Sequence, residues 1–222
     1  MDDAMWFHSN EATWRSLVDN DYWRAVKRDH QDVEQEMNAL DRERIRTLTP
    51  SAFFTWLHDR YFFWKYTQPN RLATTRASLL KYQMKDPLLT RLGSIQRDLF
   101  AVRPNHVEHG LAVATQIPGL GVAGGSGLLA VLFPEWFGTV DQFVVDALFH
   151  VHDLPERRAV AAMHAKLFPA SGSPGSLSVQ EGATLIGIMQ NQAIALNRRF
   201  RSRYWTPRKV DMALWGDRSH RG

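Results

Sequence analysis

The stretch that decides the fold is residues 115–141, which read TQIPGLGVAGGSGLLAVLFPEWFGTVD. A glycine-rich turn at 117–121 is followed by an apolar segment, predicted to be a helix over 122–133. Glycine costs roughly 1 kcal/mol at an interior helical position relative to alanine. The predicted helix contains three such residues, Gly124, Gly125 and Gly127. Two explanations for three glycines inside a helix are close packing against another helix and close approach of a ligand.

The turn at 117–121 is predicted to bind a phosphate through its backbone. Two glycines separated by one residue, Gly119 and Gly121, allow a tight turn with positive φ. Without side chains, the amides of the turn and of the next helix can approach an anion closely. A helix N-terminus adds unsatisfied donors and a favourable dipole. Such a site is indifferent to base sequence.

The rest of the chain also indicates helices, because strict alternation of apolar and polar residues is absent. The apolar spacing over 11–48 predicts one long helix or two. Thr49-Pro50 is an N-cap followed by proline, and it opens a helix predicted to run to about Tyr66. The fold class predicted from these patterns is all-α.

Two capping boxes are predicted further along the chain. Ser178 and Glu181 have the spacing of one such box. Thr139 and Gln142 have the same spacing, which predicts a helix that starts at Val140.

Charge is unevenly spread along the chain. Residues 1–49 hold seven Lys and Arg against eleven Asp and Glu, whereas residues 50–222 hold twenty against twelve. A basic body is what a phosphate-binding surface needs, and a solvated surface of mixed charge is the alternative.

The absence of cysteine excludes disulfides and cysteine-held iron–sulfur clusters. No apolar run of about eighteen residues exists, so no membrane span is expected.

The segment 107–149 resembles the helix–hairpin–helix DNA glycosylases. In that family an apolar-Pro-Gly-apolar-Gly turn grips one DNA phosphate, and residues 117–121 have this pattern. An essential aspartate follows the turn, and Asp141 stands at the matching place, 24 residues after Ile117. Gly125 corresponds to the small residue that the family favours early in the second helix.

The resemblance implies two helical lobes that flank a cleft. One lobe covers 49–137 and contains the hairpin, and the other combines 1–48 with 138–222. The hairpin residues implied to contact DNA are Gly119, Gly121, Ala123 and Gly124. Family members often hold a potassium or sodium ion on hairpin carbonyls, which here would be those of Thr115, Ile117 and Leu120.

Two departures from the family pattern limit the chemistry that is implied. Members that also cut the DNA backbone carry a lysine two residues after the second hairpin glycine, and this chain has Ala123 there. The cysteines of the cluster-binding members are also missing. The resemblance therefore implies a monofunctional base-excising enzyme without an iron–sulfur cluster or an organic cofactor, or a descendant that only binds DNA.

An aspartate at position 141 suits cleavage of an N-glycosidic bond. That reaction builds positive charge on the sugar, and a carboxylate beside the anomeric carbon stabilises the cation and can orient or deprotonate water. The alternative is that Asp141, in the first turn of the predicted helix, serves only helix capping and the helix dipole.

Two further groups have a functional and a structural interpretation each. Six cations lie within twelve residues, and they either contact the DNA backbone on the opposite side from the hairpin or form a solvated helix end. They are Arg198, Arg199, Arg201, Arg203, Arg208 and Lys209. The aromatic group at 56–66 is mainly core, but one or two rings could wall a pocket for a flipped base. Lys65 within it could be a displaced catalytic amine.

The function expected from the sequence is hydrolytic excision of a damaged or modified base from double-stranded DNA in the cytoplasm, with Asp141 as the catalytic carboxylate. Two alternatives remain open at this point. One is a catalytically inactive DNA-binding module that uses the same hairpin, and the other is an all-helical protein-interaction adaptor.

Overall fold

The computed structural model describes residues 1–83 and 88–220, and within these ranges the chain is helical with no β-strand. In chain order the helices are α1 (Glu11–Ser16), α2 (Tyr22–Ala25), α3 (Gln31–Asn38), α4 (Arg42–Arg46), α5 (Pro50–Trp56), α6 (Phe62–Lys65), α7 (Pro69–Gln83), α8 (Leu88–Phe100), α9 (Val107–Ala114), α10 (Val122–Leu132), α11 (Gln142–Phe149), α12 (Arg157–Leu167), α13 (Val179–Phe200) and α14 (Pro207–Gly216). Shorter π-helical segments span Ala4–His8, Leu17–Asp21 and Leu57–Tyr61, and 3₁₀ turns span Arg28–His30 and Asp217–His220. The predicted all-α class is confirmed for the described residues. None of their helices has the length and apolarity to cross a bilayer.

The helix predicted from Thr49-Pro50 is confirmed. The Thr49 hydroxyl accepts a hydrogen bond from the Ala52 amide at 3.2 Å, and Pro50 is the first helical residue. The π-helical turn Leu57–Tyr61 joins α5 to α6, so the rod continues to Lys65. The capping box of Ser178 and Glu181 is also confirmed, because each side chain bonds the other's backbone amide.

The prediction of one or two long helices over 11–48 is wrong. Val26 takes an extended backbone with ψ 125°, which ends α2. The Asp41 side chain then accepts hydrogen bonds from the amides of Glu43 and Arg44 and starts α4. Apolar spacing cannot register such a break, because a short acidic side chain offers the backbone a local alternative to continuing a helix.

Helix α10 lies at the centre of the fold. Every residue from Gly124 to Leu132 is buried, as expected for a helix that is apolar on all sides. It packs against α9, which precedes it in the hairpin, and against α13. A single apolar core surrounds it and includes residues from Met1 to Leu214.

Close packing explains the three glycines of α10. A Cβ added at Gly125 would lie 3.2 Å from the Ala114 Cβ of α9. One added at Gly127 would lie 2.9 Å from the Tyr61 hydroxyl and 3.0 Å from Cδ of Lys65. The Tyr61 hydroxyl donates to the carbonyl of Gly124. These glycines therefore let α9 and the end of the α5–α6 rod approach the hairpin helix.

A buried ion network ties the two ends of the chain together. Arg208 of α14 donates to Glu34 of α3 at 2.8 Å and to Asp211 at 2.6 Å. Tyr22 and Trp64 each donate to Glu34 at 2.5 Å. The amino-terminal helices, α6 and α14 are thus held by one set of charge-assisted hydrogen bonds.

The expectation that Arg208 belongs to a surface cluster of cations is wrong. Its side chain is only 7% exposed. Burial acts to lower the pKa of Arg208, but Tyr22, Asp211 and Glu34 outweigh it and raise the pKa above the usual range. The guanidinium therefore stays charged inside the core and is not available to DNA.

Replacing Arg208 with methionine should destabilise the protein by about 3–5 kcal/mol, because Glu34 and Asp211 would stay buried without their cation. The matched control is Arg198→Met on exposed α13 surface, which should change stability by less than about 0.5 kcal/mol. Urea unfolding followed by circular dichroism measures both. Equal stability of the two variants would contradict the structural role of Arg208.

Candidate DNA-binding hairpin and active site

The hairpin turn connects α9 to α10 and presents its glycines to solvent. Ile117 and Leu120 are buried and anchor the turn in the core, whereas Gly119 and Gly121 are exposed. The Leu120 amide donates to the Ile117 carbonyl at 3.0 Å, which closes the turn. The apolar positions of the pattern thus hold the turn, and the glycine positions remain accessible.

The two hairpin glycines differ in backbone conformation and in the space available for a Cβ atom. Gly119 has φ +93°, and an added Cβ would lie 2.9 Å from the Thr75 carbonyl. Gly121 has φ −89° and ψ −171°, so the expectation of positive φ at this position is wrong. An added Cβ at Gly121 would meet no atom of residues 1–83 or 88–220 within 4 Å. The fold requires glycine at 119 and does not require it at 121.

Gly121 is the N-cap of α10 and supplies no side-chain oxygen to the helix. The first intrahelical bond runs from the Gly125 amide to the Gly121 carbonyl at 2.7 Å. The amides of Val122, Ala123 and Gly124 precede it, and such first-turn amides have no intrahelical acceptor. Ala123 is half-buried and Gly124 is buried, with the Tyr66 hydroxyl beside it. The predicted contacts of Ala123 and Gly124 with DNA would therefore be made by backbone.

The predicted alkali-ion carbonyls of Thr115, Ile117 and Leu120 belong to this same turn. Thr115 is the C-cap residue of α9. The Ile117 carbonyl uses one lone pair for the Leu120 amide and keeps a second. Carbonyl oxygens are suitable ligands for a hard cation such as potassium or sodium. These three carbonyls therefore suit the ion chemically, and its binding stays a prediction.

Asp141 is the N-cap of α11, so the prediction that Thr139 caps a helix starting at Val140 is wrong. The Asp141 Oδ1 atom accepts from the Phe143 amide at 2.9 Å and from the Val144 amide at 3.3 Å. The Thr139 hydroxyl is buried and has no hydrogen-bond partner among the residues that the structure describes. Asp141 displaces it because one carboxylate oxygen can accept both free amides of the helix start.

Two hydrogen bonds fix the backbone that leads into Asp141. The Val140 amide donates to the Ser126 hydroxyl of α10 at 2.9 Å. The Thr139 amide donates to Asp211 of α14 at 3.0 Å. The hairpin helix and the buried ion network thus jointly set the position of the Asp141 carboxylate.

The Asp141 side chain lies at a cavity of about 330 Å³. Its Oδ2 atom is 3.7 Å from Nζ of Lys65. From the sequence, Lys65 was the candidate for a displaced catalytic amine. The cavity wall includes Tyr22, Ala25, Val26, Lys27, His30, Glu34, Trp64, Lys65, Thr67, Gln68, Thr139, Asp141, Phe143, Arg208, Asp211, Trp215 and Arg218. A carboxylate, an amine and several aromatic rings therefore share one partly enclosed space.

Four of the six predicted cations lie at or just beyond the end of α13 that is far from the hairpin. Gly182, near the start of α13, packs on Val122, where an added Cβ would lie 2.6 Å from Cγ1. Arg198 follows sixteen residues later, which is about 24 Å along a helix. Arg198, Arg199, Arg201 and Arg203 are exposed, and Arg199 donates to the Phe7 carbonyl. These four arginines lie away from the hairpin, in keeping with the predicted position on its opposite side, and their contact with DNA stays a prediction.

Sequence reasoning missed several residues of the cavity. Arg218 lies with its guanidinium carbon 3.6 Å from the ring centre of Phe143 and 4.9 Å from that of Trp215. Ser126 and Asp211, which hold the backbone before Asp141, were also missed. The sequence contains no signal for these contacts, since all but that of Arg218 with Trp215 join residues 14 or more positions apart in the chain.

Because the fold requires glycine at 119 and not at 121, substitutions at the two positions can separate stability from DNA binding. Gly121→Ser should leave stability within about 0.5 kcal/mol of the parent, because serine is a favoured N-cap. Its hydroxyl would occupy the α10 amides, so duplex affinity should fall about tenfold or more through loss of charge-assisted hydrogen bonds.

Gly119→Ala should instead lower stability by about 1–3 kcal/mol, because its φ is positive. Gly187, where an added Cβ also meets open space, supplies the control, since Gly187→Ser should change neither property by much. Melting temperature and fluorescence anisotropy on one duplex measure the set. Parental duplex affinity of Gly121→Ser would contradict a backbone phosphate site in the hairpin.

Comparison with known proteins assigns no family to this chain. No protein-family model, no curated protein and no solved structure matches the chain. The residues and geometry given above therefore carry the functional argument alone.

Proposed function

We propose that this protein binds double-stranded DNA through the hairpin turn and hydrolyses the N-glycosidic bond of a damaged or modified base flipped into the cavity. Asp141 is the catalytic carboxylate. The observation that carries the proposal is its position. One oxygen caps α11, while the other lies 3.7 Å from the amine of Lys65, and both residues line the cavity.

The cavity has the size and lining that a flipped base needs. Its volume of about 330 Å³ lies within the usual range for small-ligand sites. Trp64, Phe143 and Trp215 supply aromatic surface for stacking. The Asp141 side chain is 19% exposed, so it is sheltered but still reachable.

The proposal includes the two-lobe arrangement implied by the resemblance. Lobe 49–137 contributes Trp64, Lys65, Thr67 and Gln68 to the cavity wall, and the remaining wall residues come from 1–48 and 138–222. A cavity lined from both parts is what a cleft between two lobes would provide. The DNA would then contact the exposed hairpin while the flipped nucleotide entered the cleft.

The chemistry follows from the charge that develops during cleavage. As the bond between sugar and base breaks, the sugar gains positive charge, which the Asp141 carboxylate stabilises. The same carboxylate orients or deprotonates the attacking water. Stabilisation is stronger in a sheltered site than in bulk water, because the effective dielectric constant is lower.

Asp141→Asn should lower base release by about a hundredfold or more, because one electrostatic contribution to the transition state is lost. Duplex binding should stay equal or become tighter, since a negative charge near the phosphates is removed. Stability should hardly change, because asparagine caps helices as well as aspartate does.

A matched control is Asp41, which caps α4 in the way that Asp141 caps α11. Its carboxylate accepts hydrogen bonds from the second and third amides of the helix at 3.0 and 3.3 Å. Asp41→Asn should release base at the parental rate. Single-turnover release, duplex affinity and melting temperature are measured on both variants. Parental release by Asp141→Asn would overturn the catalytic assignment, and intact duplex binding without any release by the parent would favour the inactive DNA-binding module. A parent that binds no duplex at low salt would favour a protein-interaction adaptor.

A further inference from the structure

His30 lines the cavity of Asp141 and has no part in the mechanism described above. We propose that His30 is the general acid of the reaction and that its Nε2 atom donates a proton to the base as the base leaves. This inference rests on the proposed function and deepens it, because it names the class of base that the site releases. A neutral base needs such a proton to leave as a neutral molecule. The resemblance to the hairpin proteins covers 107–149 and has no bearing on His30.

Two contacts hold the imidazole ring of His30 in place. Its face stacks on Phe63 of α6, with the ring centres 4.7 Å apart and the ring planes at 17°. Its Nδ1 atom lies 3.1 Å from Oδ1 of Asp29. His30 is also the N-cap residue of α3, but its side chain does not bond the amides at the start of that helix. The ring is therefore fixed and sheltered, at 8% exposure, without serving the helix start.

The second ring nitrogen of His30, Nε2, is the atom available to a ligand. It bonds no residue within 1–83 or 88–220. In the same ranges, four fully enclosed side chains have a polar atom without a hydrogen-bond partner, namely Trp14, Thr139, Trp205 and Arg208. Nε2 is not among these atoms, so it is not sealed in the core. Because the ring lines the cavity, Nε2 is placed to contact a base that is bound there.

Asp29 prepares the ring for proton donation. The hydrogen bond with His30 lowers the pKa of the Asp29 carboxyl, so this carboxylate is charged at neutral pH. A charged carboxylate beside Nδ1 keeps the proton of the neutral ring on Nδ1 and stabilises the protonated ring, which leaves Nε2 as the site of proton transfer. Histidine is the side chain whose ordinary titration lies nearest to neutral pH, which suits it to acid catalysis.

The buried ion network fixes His30 relative to Asp141. Glu34, one helical turn after His30, accepts a hydrogen bond from Arg208 at 2.8 Å. The same network holds the backbone before Asp141 through Asp211. Both residues line one cavity of about 330 Å³. The proposed acid and the proposed carboxylate are therefore carried by connected, rigid elements, as a catalytic pair requires.

The proposed step needs only water as a co-reactant. The bond between C1′ and the base nitrogen breaks, and its electron pair goes to the base. The base takes a proton from Nε2 of His30 at a carbonyl oxygen or a ring nitrogen and leaves as a neutral molecule. Water adds to the cationic C1′ and gives one proton to Asp141. Solvent then returns a proton to His30 and takes one from Asp141, so both groups regain their starting state.

The test compares neutral bases with a cationic base on otherwise identical duplexes. The neutral set carries modified bases, with uracil, hypoxanthine and 8-oxoguanine among them, and the cationic base is N7-methylguanine, which leaves without needing a proton. His30→Gln should lower the release of neutral bases about a hundredfold or more, because the acid is lost. Release of N7-methylguanine should stay nearly unchanged. Single-turnover release and melting temperature are measured on each variant.

His58 supplies the matched control. Its Nδ1 atom lies 2.6 Å from Oδ1 of Asp59, and its ring stacks on Phe54 with the centres 6.1 Å apart. His58 does not belong to the cavity wall. His58→Gln therefore removes a comparable pair of contacts and should release neutral bases at the parental rate.

Chemical rescue separates lost chemistry from lost structure. His30→Gly places a residue that is tolerated at a helix N-cap and leaves a slot beside Phe63. Added imidazole should raise the release of neutral bases by this variant about tenfold or more, because it replaces the missing acid. Imidazole should not rescue Asp141→Asn, which lacks a different group.

Three results would overturn the role of His30 and leave base excision standing. They are parental release of neutral bases by His30→Gln, equal losses for neutral bases and N7-methylguanine, and no effect of imidazole on His30→Gly. A parent that releases N7-methylguanine but no neutral base would also overturn it. A parent that binds the duplexes and releases no base from any of them would contradict the proposed function itself, and the role of His30 with it.

Discussion

The fold depends on one buried cation, the guanidinium of Arg208. It bonds Glu34 from the amino-terminal helices and Asp211 from its own helix, and Asp211 in turn accepts the Thr139 amide. Two residues later the chain reaches Asp141. Because the charges are buried, losing one partner costs far more than an exposed ion pair would. The position of the candidate catalytic carboxylate is thus coupled to the contact between the two ends of the chain.

Helix α10 connects the proposed DNA contact to the proposed chemistry. Its first turn offers the backbone amides of Val122, Ala123 and Gly124. Its Ser126 hydroxyl fixes the Val140 amide just before Asp141. Its Gly127 accommodates the chain of Lys65. One rigid helix therefore sets the distance between the proposed phosphate contact, the carboxylate and the amine. Sites carried on regular elements hold such distances more precisely than sites on loops.

Local signals in the sequence predicted local structure well. Thr49-Pro50 and the box of Ser178 and Glu181 mark helix starts because the capping atoms lie within four residues of each other. The cap at Thr139 was wrong because Asp141, two residues on, competes for the same amides. The pair Asp86-Pro87 also predicts a helix start from the sequence, but it lies outside the described residues. The burial of Arg208 and the approach of Lys65 to Asp141 arise from packing between distant segments, which no local pattern encodes.

The most direct test of the central claim is the release of free base from a panel of duplexes that carry damaged and modified bases. Mass spectrometry of the supernatant identifies any base that is set free, without assuming which one it is. We expect the parent protein to release free base from at least one duplex of the panel. Tight, salt-sensitive binding to every duplex with no free base from any of them would contradict it.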